Sequence, residues 1–151
     1  YREGLGIKDN AKRHLGSKYL LKIDFKNFFN SITPKLLFSL MEKYGFELSE
    51  NEKTYLSNLL FWKPIRKGPL VLSVGAPSSP LISNFVMSEF DKRLLDECQK
   101  NGITYTRYAD DLTFSTNKKN ILLTMPKIVS EILKSETYGL ININHRKTVF
   151  S

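Results

Sequence analysis

The hydrophobic and polar positions along this chain switch between a strand period and a helix period, and the switches mark out the elements. Lys18 to Phe25 (KYLLKIDF) has a strand pattern whose apolar members crowd too closely for clean alternation, so both faces are expected to be covered. Ile103 to Tyr108 (ITYTRY) and Leu112 to Thr116 (LTFST) are β-branched and aromatic runs separated by a tight turn, which predicts a hairpin. Thr33-Pro34 is a cap followed by proline at the first helical position. The helix it opens runs to about Tyr44, where Gly45 stops it. Ser49 with Glu52 makes a capping-box pattern for a second helix reaching about Trp62. Leu70 to Val74 is a short strand, and Gly75 to Pro80 is a rigid turn into a long helix from about Leu81 to Lys100. In that helix Ile82, Val86, Phe90 and Leu94 recur every fourth residue, with Leu81 and Phe85 beside them, forming a wide apolar stripe. Asn101-Gly102 closes it. Pro126 to Ser135 is helical, with its start at or before Pro126. Leu140 to Ile143 and Thr148 to Phe150 are short strands, and residues 1–16 are a polar, Gly-rich loop with a short helical turn.

Long helices on one face of a mostly antiparallel sheet make an α+β domain. A chain of 151 residues fits one domain with a real core, and it contains no repeat, low-complexity tract or linker. The connections are long enough for the strand ending near Asp24 to lie beside the later hairpin.

Charge adds a partner class. Lys and Arg total 23 against 15 Asp and Glu, a net charge of +8, which favours a polyanion, nucleic acid before a membrane surface. The single cysteine, Cys98, lies in an amphipathic run, where packing is its expected role. One thiol excludes an internal disulfide, no Cys/His cluster offers a zinc site, and a reducing, cytoplasmic setting fits. No apolar stretch is long enough to span a bilayer.

The candidate chemistry sits at the hairpin tip. Asp110 and Asp111 project into one small volume, and like charges so placed call for a cation. Mg²⁺ suits hard oxygen ligands and substrate phosphates, and a pair of such ions is the apparatus of nucleotidyl transfer. Asp-Asp is also common in plain turns, so the dipeptide gains weight only from a third carboxylate, Asp24, at the end of an earlier strand.

At this point the chain resembles reverse transcriptases, and more narrowly the bacterial retron type. Leu21 to Phe29 (LKIDFKNFF) is similar to the family's first catalytic block, and Gly75-Ala76-Pro77-Ser78-Ser79-Pro80 to the retron form of its template-side block. Tyr108-Ala109-Asp110-Asp111 resembles the YADD core. Gly139-Leu140 with Asn144 and Lys147-Thr148 resembles the block that follows, and Asn10-Ala11-Lys12-Arg13-His14 matches the retron element NAxxH. Any one of these is weak, but five in order along nearly the whole chain are strong.

The resemblance implies a reverse-transcriptase palm with part of the fingers. It implies two Mg²⁺ ions on Asp24, Asp110 and Asp111, with the Phe25 carbonyl as an added ligand. An aromatic would gate the sugar, and since neighbours on a strand point oppositely, one of Phe28 and Phe29 would be that gate and the other core, with Phe29 the favoured gate. Phe29, Val74 and Gly75 would contact the incoming nucleotide. Ala76, Pro77, Ser78 and Ser79 would line the template–primer. Ser73-Val74 stand where the family usually has Pro-Gln, which leaves nucleotide positioning open. Tyr108 is either a primer contact or hairpin packing. Lys147 is either a proton donor to pyrophosphate or a solvated strand-end lysine. Asn10, Ala11 and His14 are either structural hydrogen-bonding positions or an RNA contact. Lys63, Arg66 and Lys67 form a basic turn, either phosphate-binding or simply solvated.

The implied activity is RNA-directed DNA synthesis from dNTPs on a structured noncoding RNA. The product would be branched RNA–DNA, made beside an effector protein in antiphage defence. A group II intron-like or abortive-infection reverse transcriptase, a non-catalytic RNA-binding scaffold and a structural basic module are the alternatives. The chain opens on Tyr1 and stops at Ser151 after a strand-like run. It is therefore expected to be a segment whose early fingers blocks and thumb lie outside it.

Overall fold

The computed structural model describes residues 6–151, which form two compact units, residues 27–86 and residues 6–26 with 87–151. In chain order the elements are α1 (Ile7–Arg13), β1 (Tyr19–Asp24), α2 (Phe28–Ser31), α3 (Pro34–Lys43), α4 (Glu50–Leu60), α5 (Ser79–Val86), α6 (Ser88–Asn101), β2 (Thr104–Tyr108), β3 (Asp111–Thr116), α7 (Met125–Glu136) and β4 (Val149–Phe150). Short 3₁₀ turns cover Ile121–Thr124 and His145–Lys147.

The discontinuous unit is built on an antiparallel sheet in the order β2-β3-β1-β4. Strand parity divides it into two chemically distinct faces. On one face Leu21, Ile23 and Phe25 meet Phe114 and Leu112, with Tyr105 stacked on Phe114 at 5.2 Å. Phe90, Leu94 and Cys98 of α6 and Val129 and Leu133 of α7 are buried with them, and Phe25 meets Phe90 edge-on at 5.8 Å. Burial pushes the Cys98 thiol up to about 12, with Glu97 adding to the shift, so Cys98 is a packing residue. The other face carries Lys22, Asp24, Thr106, Tyr108, Asp111, Thr113 and Ser115. The pattern of β1 is therefore one dry face and one polar face, with Lys22 exposed, where crowding of apolar residues had suggested two covered faces.

Helix α1 is held to that polar face by His14. Its Nδ1 lies 2.7 Å from Ser115 Oγ and its Nε2 lies 2.9 Å from Thr106 Oγ1, while Ser17 donates to Ser115 at 3.1 Å. Both ring nitrogens of His14 are thus engaged by hydroxyls, and a neutral imidazole donates through one of them and accepts through the other. His14 is buried, and that burial, with Arg13 nearby, lowers its pKa.

In the unit of residues 27–86, Thr33 caps α3 by accepting from the Leu36 N–H at 3.3 Å, and Leu36, Leu37 and Leu40 form its buried stripe. The Ser49–Glu52 capping box is present, and Lys53 of α4 bridges Glu42 of α3 at 3.1 Å and Glu50 at 3.2 Å. Tyr44 meets Phe85 of α5 with ring centres 5.6 Å apart.

Several elements depart from the sequence pattern. Residues 6–16 hold a two-turn helix rather than mainly loop, fastened by His14; the predicted loop at residues 1–5 lies outside the described residues. Helix α2 follows a left-handed Asn27 (φ 48°), a local turn that no periodicity announces. The long helix predicted from Leu81 is two helices interrupted at Met87 (φ −90°, ψ 2°), and Leu81 is exposed rather than part of the stripe. Leu70 to Val74 is no strand, only the single bridge Trp62–Val71. Leu140 to Ile143 is likewise only the bridge Ile143–Phe25.

Replacing His14 by Ala removes the imidazole from two buried hydroxyls, leaving Ser115 only Ser17, and should cost roughly 1–3 kcal/mol of stability at pH 7.5. A lowered folded pKa means that the stability His14 contributes is complete above its ordinary value of 6.5 and is lost as pH falls through the folded value. Urea unfolding should therefore show the gap between wild type and His14→Ala narrowing at pH 5. A gap independent of pH would remove the neutral-histidine account.

Candidate active site

Strand β1 ends where β3 begins, and the antiparallel register sets Asp24 directly opposite Asp111. Parity puts both on the polar face, where directly opposed residues hold their Cβ atoms about 4.5–5.5 Å apart. Asp110 occupies the turn, and its carbonyl accepts the Phe25 N–H at 3.1 Å, tying the hairpin tip to the end of β1. The Asp111 carboxyl is raised above its ordinary value by burial first, then by the charges of Asp110 and Asp24; Lys147 and Lys22 pull it back. Negative charge is thus concentrated at this end of the sheet.

Asp24 is gripped by the segment that follows α7. The Asn144 main-chain N–H donates to the Asp24 carbonyl at 2.7 Å, and its side-chain amide donates to Oδ1 at 3.3 Å. Lys147 Nζ lies 3.2 Å from Oδ2. Lys147 is therefore neither on a strand nor without a partner; it sits in a 3₁₀ turn and is ion-paired with a candidate metal ligand. Among the described residues no three His, Cys, Asp or Glu side chains are gathered into a ready metal cage. The donor set itself, hard carboxylate oxygens of like charge at one sheet end, fits a divalent cation.

The turn is braced from below. Ala109 adopts φ 52°, unfavourable for a residue with a Cβ. Arg107 Nη1 donates to the Ala109 carbonyl at 2.9 Å. The rest of its guanidinium forks onto Asp91 of α6, with Nε 2.8 Å from Oδ1, and Tyr105 donates its hydroxyl to the same oxygen at 2.8 Å. Burial works against the charge on Arg107, but the Asp91 carboxylate outweighs it and the pKa is raised. Burial, with Asp91, pushes the Tyr105 phenol well up, so it stays a donor. The sequence reading missed all three residues. The available signal was parity: Arg107 shares its face with Leu112 and Tyr105, and a charge on an apolar face needs a partner.

The remaining candidates fall in three places. Tyr108 pairs with Asp111 across the hairpin and is partly exposed. Asn10 and Ala11 lie on α1 with His14 at the C-terminal boundary, where the imidazole bonds Ser115 and Thr106, as a structural reading requires. Phe29 is in the other unit, on α2 rather than on a strand, so helical geometry separates it from Phe28. Phe28 is buried and Phe29 half-buried. In the same unit Gly75 has φ 89° with open space where a Cβ would stand, and Val74 is exposed. Ala76, Pro77 and Ser78 follow. Ser79 is buried, and its hydroxyl donates to the Ser73 carbonyl at 2.7 Å, so it shapes the turn and offers no surface to a template strand.

A family model described as reverse transcriptase (RNA-dependent DNA polymerase) matches residues 1–151. The chain belongs to the reverse transcriptase family. It is 47% identical over 154 residues to the retron Ec83 reverse transcriptase of Escherichia coli, covering 100% of this chain and 49% of that protein. To the retron Mx65 reverse transcriptase of Myxococcus xanthus it is 34% identical over 157 residues, covering 96% of this chain and 36% of the relative. The chain thus spans about half or less of the length of these relatives. A telomerase from Candida albicans, solved with a fragment of telomeric RNA, matches with a TM-score of 0.64 over 97% of this chain and 31% of its own, at 14% identity. That likeness concerns the fold alone, and it is the α+β fold of a reverse transcriptase. Reverse transcriptases use divalent metal ions, in keeping with the oxygen donors at this hairpin. No helix among the described residues is long and apolar enough to cross a membrane.

Arg107→Met should cost about 3 kcal/mol, because it leaves Asp91 partly buried with an uncompensated charge. The double variant Arg107→Met/Asp91→Leu should recover part of that loss in thermal or urea unfolding. A double variant less stable than Arg107→Met would show that the pair does not act as a unit.

Proposed function

We propose that this chain is the palm, with part of the fingers, of a retron-type RNA-directed DNA polymerase. The single observation carrying the reading is the register that opposes Asp24 and Asp111 beside Asp110, in a chain of reverse-transcriptase family. The sheet unit is the palm, and residues 27–86 hold the fingers part. Asp24, Asp110 and Asp111, with the Phe25 carbonyl, would hold two Mg²⁺ ions. When bound, the metal would lower the pKa of a primer hydroxyl and neutralise charge on the triphosphate.

The chain's own residues position and neutralise. Arg107 fixes the turn that carries Asp110, and the Asn144 amide orients the Asp24 carboxylate. The ion pair of Lys147 with Asp24 supports a role at the reacting centre, protonating the departing pyrophosphate, over a solvated lysine. Tyr108, beside Asp111 and partly exposed, would meet the primer end. Phe29 would pack under the sugar, and Val74 and Gly75 would border the nucleotide. Ala76, Pro77 and Ser78 would face the template–primer. Little covalent chemistry is asked of the protein, so placement and electrostatics dominate.

The partners are RNA, dNTPs and the DNA product, with an effector protein as a further associate of the intact system. The retron relatives favour a structured noncoding RNA as template, and a branched RNA–DNA product, over a group II intron or abortive-infection role. A non-catalytic scaffold would have no need of three carboxylates at one sheet end.

Two measurements test this on the intact protein that carries the segment. Primer extension on an RNA template with dNTPs and Mg²⁺ should fall by at least about a hundredfold in Asp110→Asn/Asp111→Asn, with RNA binding retained. Equal extension would refute the metal assignment. Phe29→Ala should admit ribonucleotides more readily. Unchanged dNTP over rNTP preference would move the gate elsewhere.

A further inference from the structure

The reaction assigned above makes no use of the segment between α4 and the Gly75 turn, yet its surface is unusual. Residues 62–67 (Trp-Lys-Pro-Ile-Arg-Lys) are exposed without a break. The loop is framed, not slack. Trp62 and Val71 exchange both main-chain hydrogen bonds, at 3.0 and 2.9 Å, and the Gly68 N–H donates to the Ile65 carbonyl at 2.8 Å. A Cβ at Gly68 would stand 3.1 Å from that of Ile65, so the inner turn is tight. Buried Phe61 and Val71 anchor its base.

The loop presents three cations and two large apolar groups. From Lys53 to Ser88 the sequence contains no Asp or Glu. Lys53 is already bridged to Glu42 and Glu50, whereas Lys63, Arg66 and Lys67 have no carboxylate partner among the described residues. Trp62 is 46% exposed and Ile65 68% exposed between them. A merely solvated turn has no reason to hold an indole in water beside three unneutralised cations. Cations for phosphates with an aromatic face for a base are what binds a single strand of nucleic acid.

We propose that the 62–67 loop is a separate binding point for single-stranded RNA, with Lys63, Arg66 and Lys67 on the phosphates and a base stacked on Trp62. It rests on the reading that this protein handles RNA, and it adds a contact outside the residues assigned to catalysis and to the nucleotide. The loop sets how firmly the RNA is held, not the rate of the bond-forming step.

The test uses the intact protein and a short unstructured fluorescent RNA, with anisotropy titrations across a series of KCl concentrations. Each phosphate contact on a single strand contributes about 0.7 to the slope of log affinity against log salt. Lys63→Gln/Arg66→Gln/Lys67→Gln should therefore flatten that slope by about 2. Trp62→Ala should weaken binding roughly 5- to 100-fold at every salt concentration and leave the slope alone. Extension of a saturating, pre-annealed primer–template should stay at the wild-type rate in both variants. RNA binding by the wild type with an unchanged slope in the triple variant overturns the loop assignment and leaves the polymerase reading standing. No RNA binding by the wild type overturns the polymerase reading as well. If the triple variant keeps its RNA slope but loses binding to anionic phosphatidylserine vesicles, the loop is a membrane contact and the proposal fails.

Discussion

Two aspartates of like charge stand opposite each other across an antiparallel pair of strands, an arrangement that costs stability unless something else imposes it. Here the imposition comes from the opposite face of the sheet. Leu21 and Ile23 on β1 mesh with Phe114 and Leu112 on β3, with Phe25 buried just past the strand's end, and a one-residue slip of register would turn that apolar set into water. Each such buried side chain contributes about 1.5–3 kcal/mol, more than the repulsion between a buried Asp24 and an exposed Asp111 can oppose. The core therefore sets where Asp24 and Asp111 stand, and the Asp111 carboxyl is raised by burial first and then by the charges of Asp110 and Asp24.

Three other devices follow from that pairing. The Asp110 carbonyl ties the hairpin tip to Phe25, the Asn144–Lys147 segment closes on Asp24, and Arg107 reaches from the dry face to the carbonyl of Ala109. The last is informative because Ala109 takes a positive φ without being glycine. The strain is met by a charge-assisted hydrogen bond whose donor is itself locked to α6 through Asp91. At the other end of the polar face His14 holds α1 down through two hydroxyls on β2 and β3. His14 of the NAxxH element thus docks on the same sheet face as the candidate catalytic carboxylates, at Ser115, four residues along β3 from Asp111.

The family explains why these devices belong together. Like charges gathered at one sheet end need structural support, and the sheet pairing, the Arg107 brace and the Lys147 ion pair supply it. The unit of residues 27–86 shows a different economy. Its short loops are tightly hydrogen-bonded, while their side chains face solvent, as at Val74 and at Trp62 to Lys67. Such surfaces suit contact with an extended polyanion more than formation of a core.

The sequence by itself determined most of the regular structure and the candidate chemistry. Caps at Thr33 and Ser49, the hairpin around Asp110 and the helix stop at Gly102 rest on interactions within a few residues, which local pattern encodes. The motifs around Asp24, Gly75 and Asp110 made the family legible before any fold was known. Only the tertiary structure decided what depends on distant partners. Leu70 to Val74 and Leu140 to Ile143 have strand-like side chains, yet each forms only one bridge, to Trp62 and to Phe25. The apolar repeat from Leu81 could not show the break at Met87. His14 and Lys147 acquired partners 101 and 123 residues away, and Arg107 found Asp91 on a helix that its own strand pattern could not name. A side chain's period reports which face it occupies, but the group waiting on that face is a property of the folded chain.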